Sequence, residues 1–412
     1  MDHIIFAIPL LLGIDFYAYQ PVKILSGKKT PAFKKWAKWI YWSIPVIILL
    51  GFFIYGFIDD FLIGRNVRYA ILLLFTFNYL PKVFIVIFLL IHDSIGILRW
   101  VIRKFSAKRD QKKLEGKPIS RSEFISKAAL ISAGAPLAMM GFGIVRGAHD
   151  YQLRRKQVFL KNLPQAFDGI KIGHISDIHT GSFFSKTAVQ GGIDILMNEK
   201  PDVVFFTGDL VNNVTSEVKD YINIFDKVRA PLGVFSSTGN HDYGDYAQWF
   251  SEKAKVKNFE DLKEAHKLMG YDLLLNENRH ISLGGDKLGI IGVENWGAGR
   301  FSKHGDLDAA MQNTDDYAVK LLLSHDPSHW DAQVLGKTDI DLMFAGHTHG
   351  FQMGVEVGDF KWSPSQYLYK QWADLYQEGE QYLYVNRGYG YIGYPGRIGI
   401  MPEVTMIELK KG

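Results

Sequence analysis

The stretch Ile172-Gly-His-Ile-Ser-Asp177-Ile-His179 places an aspartate and a histidine directly after a short apolar run. The same layout recurs in Val203-Val-Phe-Phe-Thr-Gly208-Asp209 and in Val234-Phe-Ser-Ser-Thr-Gly239-Asn240-His241-Asp242. Apolar runs of this length that are rich in β-branched and aromatic residues are typical of buried strands. Because ligands bind at the carboxyl ends of the strands in an open α/β sheet, we expect these polar clusters to meet along one edge of the sheet.

Two further clusters have the same layout. The apolar run 319–324 leads to His325-Asp326-Pro327, and the run 340–345 leads to Gly346-His347-Thr-His349-Gly350. Carboxylate, amide and imidazole groups gathered in this way are the ligands that divalent metals require. A histidine taken singly is more often structural, but that reading would have to hold at four of these positions at once. The histidines without such context are left structural: His174, His266, His280, His304 and His329.

The order of the five clusters resembles the calcineurin-like metallophosphoesterase superfamily, whose pattern runs Asp-x-His, Gly-Asp, Gly-Asn-His-Asp/Glu, His and Gly-His-x-His. The resemblance covers about residues 156–412. It implies an α/β fold, a four-layer sandwich of two sheets, and a pair of divalent metal ions as cofactors. The first choice is Mn, with Fe or Zn as alternatives, and the absence of cysteine excludes thiolate ligands.

The resemblance also assigns the ligands. It puts one metal on Asp177, His179, Asp209 and His349 and the other on Asp209, Asn240, His325 and His347. Asp209 would bridge the two ions, since a carboxylate has two oxygens and two cations held close together need an anion between them.

His241 follows the predicted ligand Asn240, and we expect it to contact the substrate phosphate or to protonate the leaving oxygen as a catalytic residue. In many relatives an acidic residue three positions after the bridging aspartate orients this histidine, whereas this chain has Asn212 there. Asn213 stands where phosphatase members often carry an arginine. Both differences argue against the protein-phosphatase subgroup. Asp242 is given only a weak supporting role.

The C-terminal stretch Asn386-Arg387-Gly388-Tyr389-Gly390 and the segment Pro395-Gly-Arg397 resemble a motif of the membrane-linked bacterial subgroup. Arg387 and Arg397 are candidate substrate-binding residues because a guanidinium matches the geometry of a phosphate. The alternative is that these arginines buttress a glycine-rich turn. Phe351, where that subgroup usually has glycine, is expected to narrow or cover one side of the site.

Aromatic residues are dense between positions 360 and 394. Such rings suit a membrane interface or a wall for acyl chains, and the alternative is packing at the edge of the second sheet. The residues are Trp362, Tyr367, Tyr369, Trp372, Tyr376, Tyr389, Tyr391 and Tyr394.

The N-terminal third differs in composition from the rest of the 412 residues. Apolar runs at 4–17, 39–58, 69–102 and 128–145 predict an all-α membrane region of about four helices. The run 4–17 carries Pro9 and Asp15, and the run 69–102 is either one kinked crossing or two. We therefore expect a transmembrane region over residues 1–150 and a metallophosphoesterase domain over residues 151–412.

The basic residues predict how the chain crosses the membrane. They crowd the loops at 23–38 and 103–121, whereas the loop at 59–68 is balanced. By the positive-inside rule the basic loops are cytoplasmic, which favours one crossing over 69–102 and delivers the C-terminal domain to the outer face of a bacterial cytoplasmic membrane. The segment 120–127 resembles a degenerate twin-arginine export motif with Ser122 in place of the second arginine, or is the basic flank of an ordinary helix.

A net charge of +4 and a pI near 8.8 do not indicate a nucleic-acid partner, because the excess charge lies beside apolar segments. The partners expected are the lipid bilayer and a phosphoester. The first hypothesis is a membrane-anchored two-metal phosphohydrolase acting on a lipid-linked phosphoester or pyrophosphate. The alternatives are a broad phosphodiesterase for soluble nucleotides or cell-wall phosphoesters, and a non-catalytic membrane protein that retains the fold.

Overall fold

The computed structural model describes residues 2–57, 65–105, 121–358 and 360–412. The chain divides into two compact units, Met1–Gly141 and Phe142–Gly412. Residues 58–64 and 106–120 lie outside the described residues. They make up most of the loops predicted at 59–68 and 103–121, on which the predicted orientation depends.

The first unit is helical. Its helices are α1 (Asp2–Ser26), α2 (Pro31–Phe57), α3 (Arg65–Phe105) and most of α4 (Arg121–Val145). Within the described residues, three segments are long and apolar enough to cross a membrane: Pro31–Ile54, Ala70–Ile102 and Glu123–His149. A single helix therefore covers the run 69–102, and Pro81 lies inside it. The described part of α1 is not among these three segments.

A buried ion pair joins α1 to α3, and the sequence did not predict it. The Asp15 carboxylate lies 2.7 Å from Lys82 Nζ and accepts a hydrogen bond from the Tyr79 hydroxyl at 2.9 Å. Tyr41 of α2 donates to the Asp15 carbonyl at 2.7 Å. Because an unpaired charge in an apolar bundle is costly, this pair fixes where α1 lies against its neighbours.

The second unit contains two six-stranded sheets and one small sheet. The first large sheet has the order β1-β14-β2-β3-β4-β5, and all of its neighbours are parallel except β14 with β2. Its strands are β1 (Gln152–Leu160), β2 (Lys171–Ile175), β3 (Val203–Thr207), β4 (Val234–Ser237), β5 (Asp272–Leu273) and β14 (Glu403–Lys411).

The second large sheet has the order β12-β13-β9-β8-β7-β6, with antiparallel pairs at both edges and parallel strands between them. Its strands are β6 (Glu277–Leu283), β7 (Asp286–Gly292), β8 (Val319–Leu323), β9 (Leu342–Ala345), β12 (Asp374–Glu378) and β13 (Gln381–Val385). The small sheet is the antiparallel hairpin of β10 (Val355–Val357) and β11 (Phe360–Trp362).

Three apolar cores define four layers. One core packs α5 (Lys186–Asn198), α6 (Ile222–Phe225) and α7 (Glu252–Met269) on the first sheet. A second core lies between the sheets, where Phe205 contacts Phe344 edge-to-face. A third core packs α8 (Leu307–Ala310) and the turn Trp330–Val334 on the second sheet. The predicted two-sheet α/β sandwich preceded by a helical region is confirmed.

Some elements differ in extent from what the sequence predicts. The run 157–160 predicts a strand, and the observed strand begins earlier, at Gln152, because the polar residues before this run pair with β14 in parallel. The spacing at 218–228 predicts a helix, but this region forms two short turns, and Asn258 of α7 binds the backbone and hydroxyl of Thr215 at 2.8 and 2.7 Å. The short stretches at 273–293 predict a meander that begins the second sheet, but they are split, with β5 in the first sheet and β6–β7 at the edge of the second.

The parallel strands decide where the site lies. Strands β2, β3 and β4 end just before Asp177, Asp209 and Asn240, and β8 and β9 end just before His325 and His347. Because each polar cluster follows the carboxyl end of a buried strand, the two sheets present all five clusters at one end of the sandwich.

Candidate metal centre

Three side chains form the first group of the site. Asp177, His179 and His349 place one ligand atom each within 4.8 Å of one another, and all three are buried. Nε2 of His179 lies 3.0 Å from Nε2 of His349, which lies 3.2 Å from an Asp177 oxygen. This convergence of nitrogen and oxygen atoms is the arrangement in which a divalent ion is held.

Asp209, His325 and His347 form the second group. Nε2 of His325 lies 3.1 Å from Asp209 Oδ2 and 3.2 Å from Nδ1 of His347. The same Asp209 oxygen lies 3.5 Å from His179 Nε2 in the first group. The Asp209 carboxylate therefore lies between the two groups, where it would contact an ion held in either of them.

Asn240 has a buried oxygen that the protein leaves unpaired. Its amide nitrogen donates to the Tyr246 hydroxyl at 2.8 Å, and among the described residues no donor reaches Asn240 Oδ1. A buried amide oxygen without a partner costs free energy, and a cation beside it removes that cost. The donor set therefore fits two divalent ions, and the assignment of individual ligands stays a prediction.

The imidazoles are held largely in the neutral form that binds metals. Burial lowers the pKa of His179 to about 3 and that of His347 to about 4, and it lowers the pKa of His349 well below its usual range. Burial would also lower the pKa of His325, but the charges of Asp209 and Asp177 raise it to about 10. The two carboxylates thus favour positive charge between them.

Five of the seven predicted ligands lie in left-handed backbone. The φ angles are 53° at Asp177, 52° at His179, 59° at Asp209, 68° at His347 and 50° at His349. Residues other than glycine rarely adopt this conformation, and it concentrates at functional sites. The backbone strain therefore coincides with the positions expected to hold the ions.

Glycines in the motifs let the loops approach one another. A Cβ atom on Gly346 would lie 2.1 Å from Asp177 Oδ2, and one on Gly239 would lie 2.2 Å from Asp209 Oδ1. Both positions therefore exclude any larger residue. The Asp177 carboxylate can then accept the His347 backbone N–H at 3.0 Å, which ties the first sheet to the second.

Asp242 has a larger role than the sequence indicated. Its buried carboxylate accepts the backbone N–H groups of Asp209, Leu210 and Gly239 at 2.9, 2.9 and 2.8 Å. Because these bonds hold the loop that carries Asp209, Asp242 positions the bridging carboxylate.

His241 lies at the partly exposed rim of the site. Its Nδ1 lies 2.6 Å from the Asn212 carbonyl, which can only accept, so Nδ1 carries the proton. Its backbone N–H donates to Asp209 Oδ1 at 2.8 Å. The Asn212 backbone thus supplies the orienting acceptor that relatives take from an acidic side chain, and Nε2 is left for a substrate oxygen.

We expect the substitution His241→Asn to lower kcat by about 10²–10⁴-fold, the usual contribution of a positioned acid or base. Metal content should not change, because the predicted ligands remain. Steady-state hydrolysis of an aryl phosphodiester, combined with elemental analysis, measures both quantities. His280→Asn, on an exposed strand, is the matched control. Equal activity of the two variants would remove His241 from the mechanism.

Arg387 and Arg397, the predicted substrate-binding residues, are both 0% exposed, and their contact with a substrate stays a prediction. Arg387 forms a salt bridge with Glu403 at 2.7 Å and another with Glu356 at 3.1 Å. Arg397 donates to the Gly388 and Gly390 carbonyls at 3.0 Å. Protein groups thus pair with both guanidiniums, although Arg387 Nε has no partner among the described residues. This pairing favours the alternative of a buttressed turn.

Arg397 still acts on the site through His349. Its guanidinium lies 3.2 Å from His349 Nδ1 and donates to the His349 carbonyl at 3.4 Å. Its positive charge helps to keep His349 neutral, after burial, by lowering the pKa of the imidazole. Arg397 therefore positions His349, and its contact with a substrate stays a prediction.

Three aromatic residues beside the site were not predicted as site residues. The Tyr369 hydroxyl lies 2.8 Å from His347 Nε2, and the Phe301 ring meets the His347 ring edge-on at 4.8 Å. The Tyr246 ring lies 4.4 Å from the ring of His241. The position of Tyr246, five residues after His241, was the one available signal. Phe351 is exposed in left-handed backbone directly after the last motif, and its covering role stays a prediction.

Comparison with known proteins agrees with this geometry. A family model described as "Probable Calcineurin-like phosphoesterase, transmembrane domain" matches residues 1–148. A second model, "Calcineurin-like phosphoesterase", matches residues 170–351. The two matches are consecutive, so the helical region and the site domain occur together in this family.

Relatives occur in bacteria and animals. An uncharacterized metallophosphoesterase of Bacillus subtilis, YkuE, is 29% identical over 71% of this chain and 99% of its own length. Phosphodiesterase YaeI of Escherichia coli is 27% identical over 71% of this chain and 99% of its own length. A bovine transmembrane protein with a metallophosphoesterase domain is 28% identical over 65% of this chain, which spans only 59% of that protein.

The two family matches and the paired His/Asp groups lead to one assignment. The chain belongs to the calcineurin-like metallophosphoesterases, as a multi-pass membrane enzyme with two candidate metal sites.

Proposed function

We propose that this chain uses two divalent metal ions to hydrolyse a lipid-linked phosphoester or pyrophosphate on the extracytoplasmic face of a bacterial cytoplasmic membrane. The observation that carries the proposal is the position of Asp209 Oδ2, 3.1 Å from His325 and 3.5 Å from His179, in a chain with membrane-spanning helices. Mn is the first choice of metal, with Fe or Zn as alternatives.

The chemistry is divided between the ions and the chain. A bound pair of divalent ions supplies a deprotonated water at neutral pH and offsets the negative charge on the phosphoryl oxygens. The chain holds Asp209 between the two groups and presents His241 Nε2 to a substrate oxygen. Burial keeps the imidazoles of His179, His347 and His349 neutral. The rings of Tyr246 and Phe301 restrict the space beside these groups.

The lipid-linked substrate is supported by the membrane region and by the diesterase relative. The E. coli relative is named a phosphodiesterase, which favours a phosphoester over other substrates. Three candidate spans would confine the enzyme to the bilayer, in which a lipid-linked substrate also diffuses. Hydrolysis of a soluble substrate would not require this membrane anchor.

Hydrolysis by the purified full-length chain tests the proposal. We expect turnover of lipid-linked phosphoesters with Mn²⁺ and loss of turnover with chelator, restored by added metal. Soluble nucleotides and lipid substrates with the same phosphoester bond form the two arms of the panel. Faster hydrolysis of the nucleotides would favour the broad phosphodiesterase, and no hydrolysis of any phosphoester would favour the non-catalytic alternative.

We propose that residues 1–150 form the membrane region and that residues 151–412 lie outside the cytoplasm. The positive-inside pattern of the basic loops supports this orientation. The chain has no cysteine, so single cysteines can be introduced without background. In intact cells an impermeant maleimide should label Glu380→Cys and should label Lys29→Cys only after permeabilisation. The reverse pattern would place the domain in the cytoplasm.

A further inference from the structure

The hairpin β10–β11 exposes its apolar face. Val355 pairs with Trp362 and Val357 pairs with Phe360, and all four side chains are exposed, Val357 by 70% and Phe360 by 62%. The remaining pair, Glu356 and Lys361, lies on the opposite face of the hairpin. A hairpin on a water-facing surface has the reverse pattern, with polar side chains outward.

The polar face of the hairpin is turned into the protein. Glu356 forms salt bridges with Arg154 at 2.6 Å and with Arg387 at 3.1 Å. Lys361 donates to the Ala373 carbonyl at 2.8 Å. These bonds fix which face is outward, so the exposure of the apolar side chains is built into the fold.

The neighbouring segments extend this surface. Phe351 on one side, and Tyr367 and Leu368 on the other, are 53%, 75% and 71% exposed. We name the seven residues the apolar rim: Phe351, Val355, Val357, Phe360, Trp362, Tyr367 and Leu368. A concentration of exposed apolar side chains of this kind marks a surface that a membrane or another protein covers.

The chain between Phe351 and Val355 of the apolar rim is bonded to a segment that contacts the end of a candidate membrane span. Ile398 donates to the Gln352 carbonyl at 2.8 Å and accepts from Gly354 N–H at 2.8 Å. Its neighbour Arg397 donates its N–H to the carbonyl of Gly143, which lies inside the candidate span Glu123–His149. Hydrogen bonds through Ile398 and Arg397 therefore link the chain beside the rim to the C-terminal end of this candidate span.

The packing at this end of the span is close. A Cβ atom on Gly147 would lie 2.1 Å from the Arg397 carbonyl oxygen, so glycine is required for the contact. Phe142 and Val145, on the same helix end, are 54% and 80% exposed. The helix end and the apolar rim thus form neighbouring apolar surfaces of the Phe142–Gly412 unit.

We propose that the apolar rim is a bilayer-contact surface, on which the hairpin β10–β11 enters the interfacial layer of the membrane that the chain's own helices span. Trp and Tyr at its edge suit this layer, where an apolar ring body meets a wet polar end. Lipid is favoured over a second protein copy because a span end adjoins the rim.

The rim also borders the site along the chain. Phe351 comes two residues after His349, and Leu368 directly precedes Tyr369, whose hydroxyl lies 2.8 Å from His347 Nε2. If the apolar rim contacts lipid, the two groups of predicted metal ligands would therefore lie close to the headgroup layer. Only this consequence rests on the proposed function, since contact with lipid does not require any particular substrate.

Fluorescence quenching of the full-length chain in vesicles of phosphatidylcholine and phosphatidylglycerol tests the contact. Val357→Cys on the rim and Val256→Cys on α7 are matched, because both valines are exposed, by 70% and 60%. With an environment-sensitive label and shallow doxyl lipids, quenching should be at least twofold stronger at 357. Equal quenching at positions 357 and 256 would overturn the proposal. A label at 357 that is shielded from iodide but is not quenched by the doxyl lipids would also overturn it, because this result would indicate a protein partner.

Activity provides a second measurement. Val357→Asp should lower hydrolysis of a vesicle-embedded alkyl phosphodiester about tenfold, as expected from the lost burial of one valine, and leave its water-soluble short-chain analogue unchanged. Equal hydrolysis of the embedded substrate by Val357→Asp and Val256→Asp would contradict a presenting role for the rim. If the parent protein hydrolyses neither compound, the proposed function fails while the quenching result still decides the lipid contact.

Discussion

The substitution Asp209→Asn should reduce bound metal from two ions to one or fewer and lower phosphodiester hydrolysis by more than about 100-fold. Changes to outer partners of metal ligands already cost about 10–100-fold, and Asp209 lies between both groups. An asparagine whose oxygen takes the place of Oδ1 still accepts the His241 N–H, so the loop is retained. Its uncharged amide then faces the ions, and the repulsion between two cations is no longer offset.

Elemental analysis and steady-state kinetics on the purified full-length protein measure the two effects. Asp220→Asn is the matched control, because Asp220 is exposed and pairs only weakly with Lys186 at 3.4 Å. Unchanged metal content and hydrolysis in Asp209→Asn would show that the two groups do not hold a shared pair of ions.

The substitution Arg387→Ala should destabilise the Phe142–Gly412 unit by about 3–5 kcal/mol, the usual result of removing one partner from a buried ion pair. Glu403, which is also 0% exposed, would lose its shorter ion pair and keep only Arg154 at 3.4 Å as a cationic partner. Burial alone would raise the pKa of Glu403, but the charges of Arg387 and Arg154 lower it. The stabilisation is therefore full above the ordinary pKa of 4.5 and is lost as the pH falls through the lowered value.

Proteolysis of the full-length chain across a urea series measures this loss at pH 7 and at pH 4. Arg279→Ala is the control, since Arg279 also pairs with two carboxylates but is partly exposed, and its removal should cost about 0–1 kcal/mol. Normal stability of Arg387→Ala together with a raised KM would restore Arg387 as a substrate contact.

The sequence predicted the clustering of the site because strand ends are a strong constraint. Each of Asp177, Asp209, Asn240, His325 and His347 follows a short buried strand, and parallel strands bring such positions to one edge. The glycines beside these residues also indicated close packing of the loops, since Gly239 and Gly346 leave room for the neighbouring loop.

The arginines show where the sequence leaves two alternatives open. Arg387 and Arg397 stand in glycine-rich turns that resemble binding loops, but Arg387 pairs with Glu356 and Glu403, and Arg397 donates to the carbonyls of its own turn. Whether a guanidinium faces solvent or a buried carboxylate depends on tertiary packing. The rings of Tyr246 and Phe301 beside the site were missed for the same reason, because their loops carry no periodic pattern.

Left-handed backbone at Asp177, His179, Asp209, His347 and His349 has a consequence for how the protein matures. Each such residue stores on the order of 1–3 kcal/mol, which the surrounding chain or a bound ion must offset. Ion capture and completion of the three loops that carry these residues are therefore one coupled equilibrium, and the temperature at which the domain melts should rise with the free-ion concentration. A cell that runs short of the metal would thus lose the enzyme to proteolysis as well as its turnover.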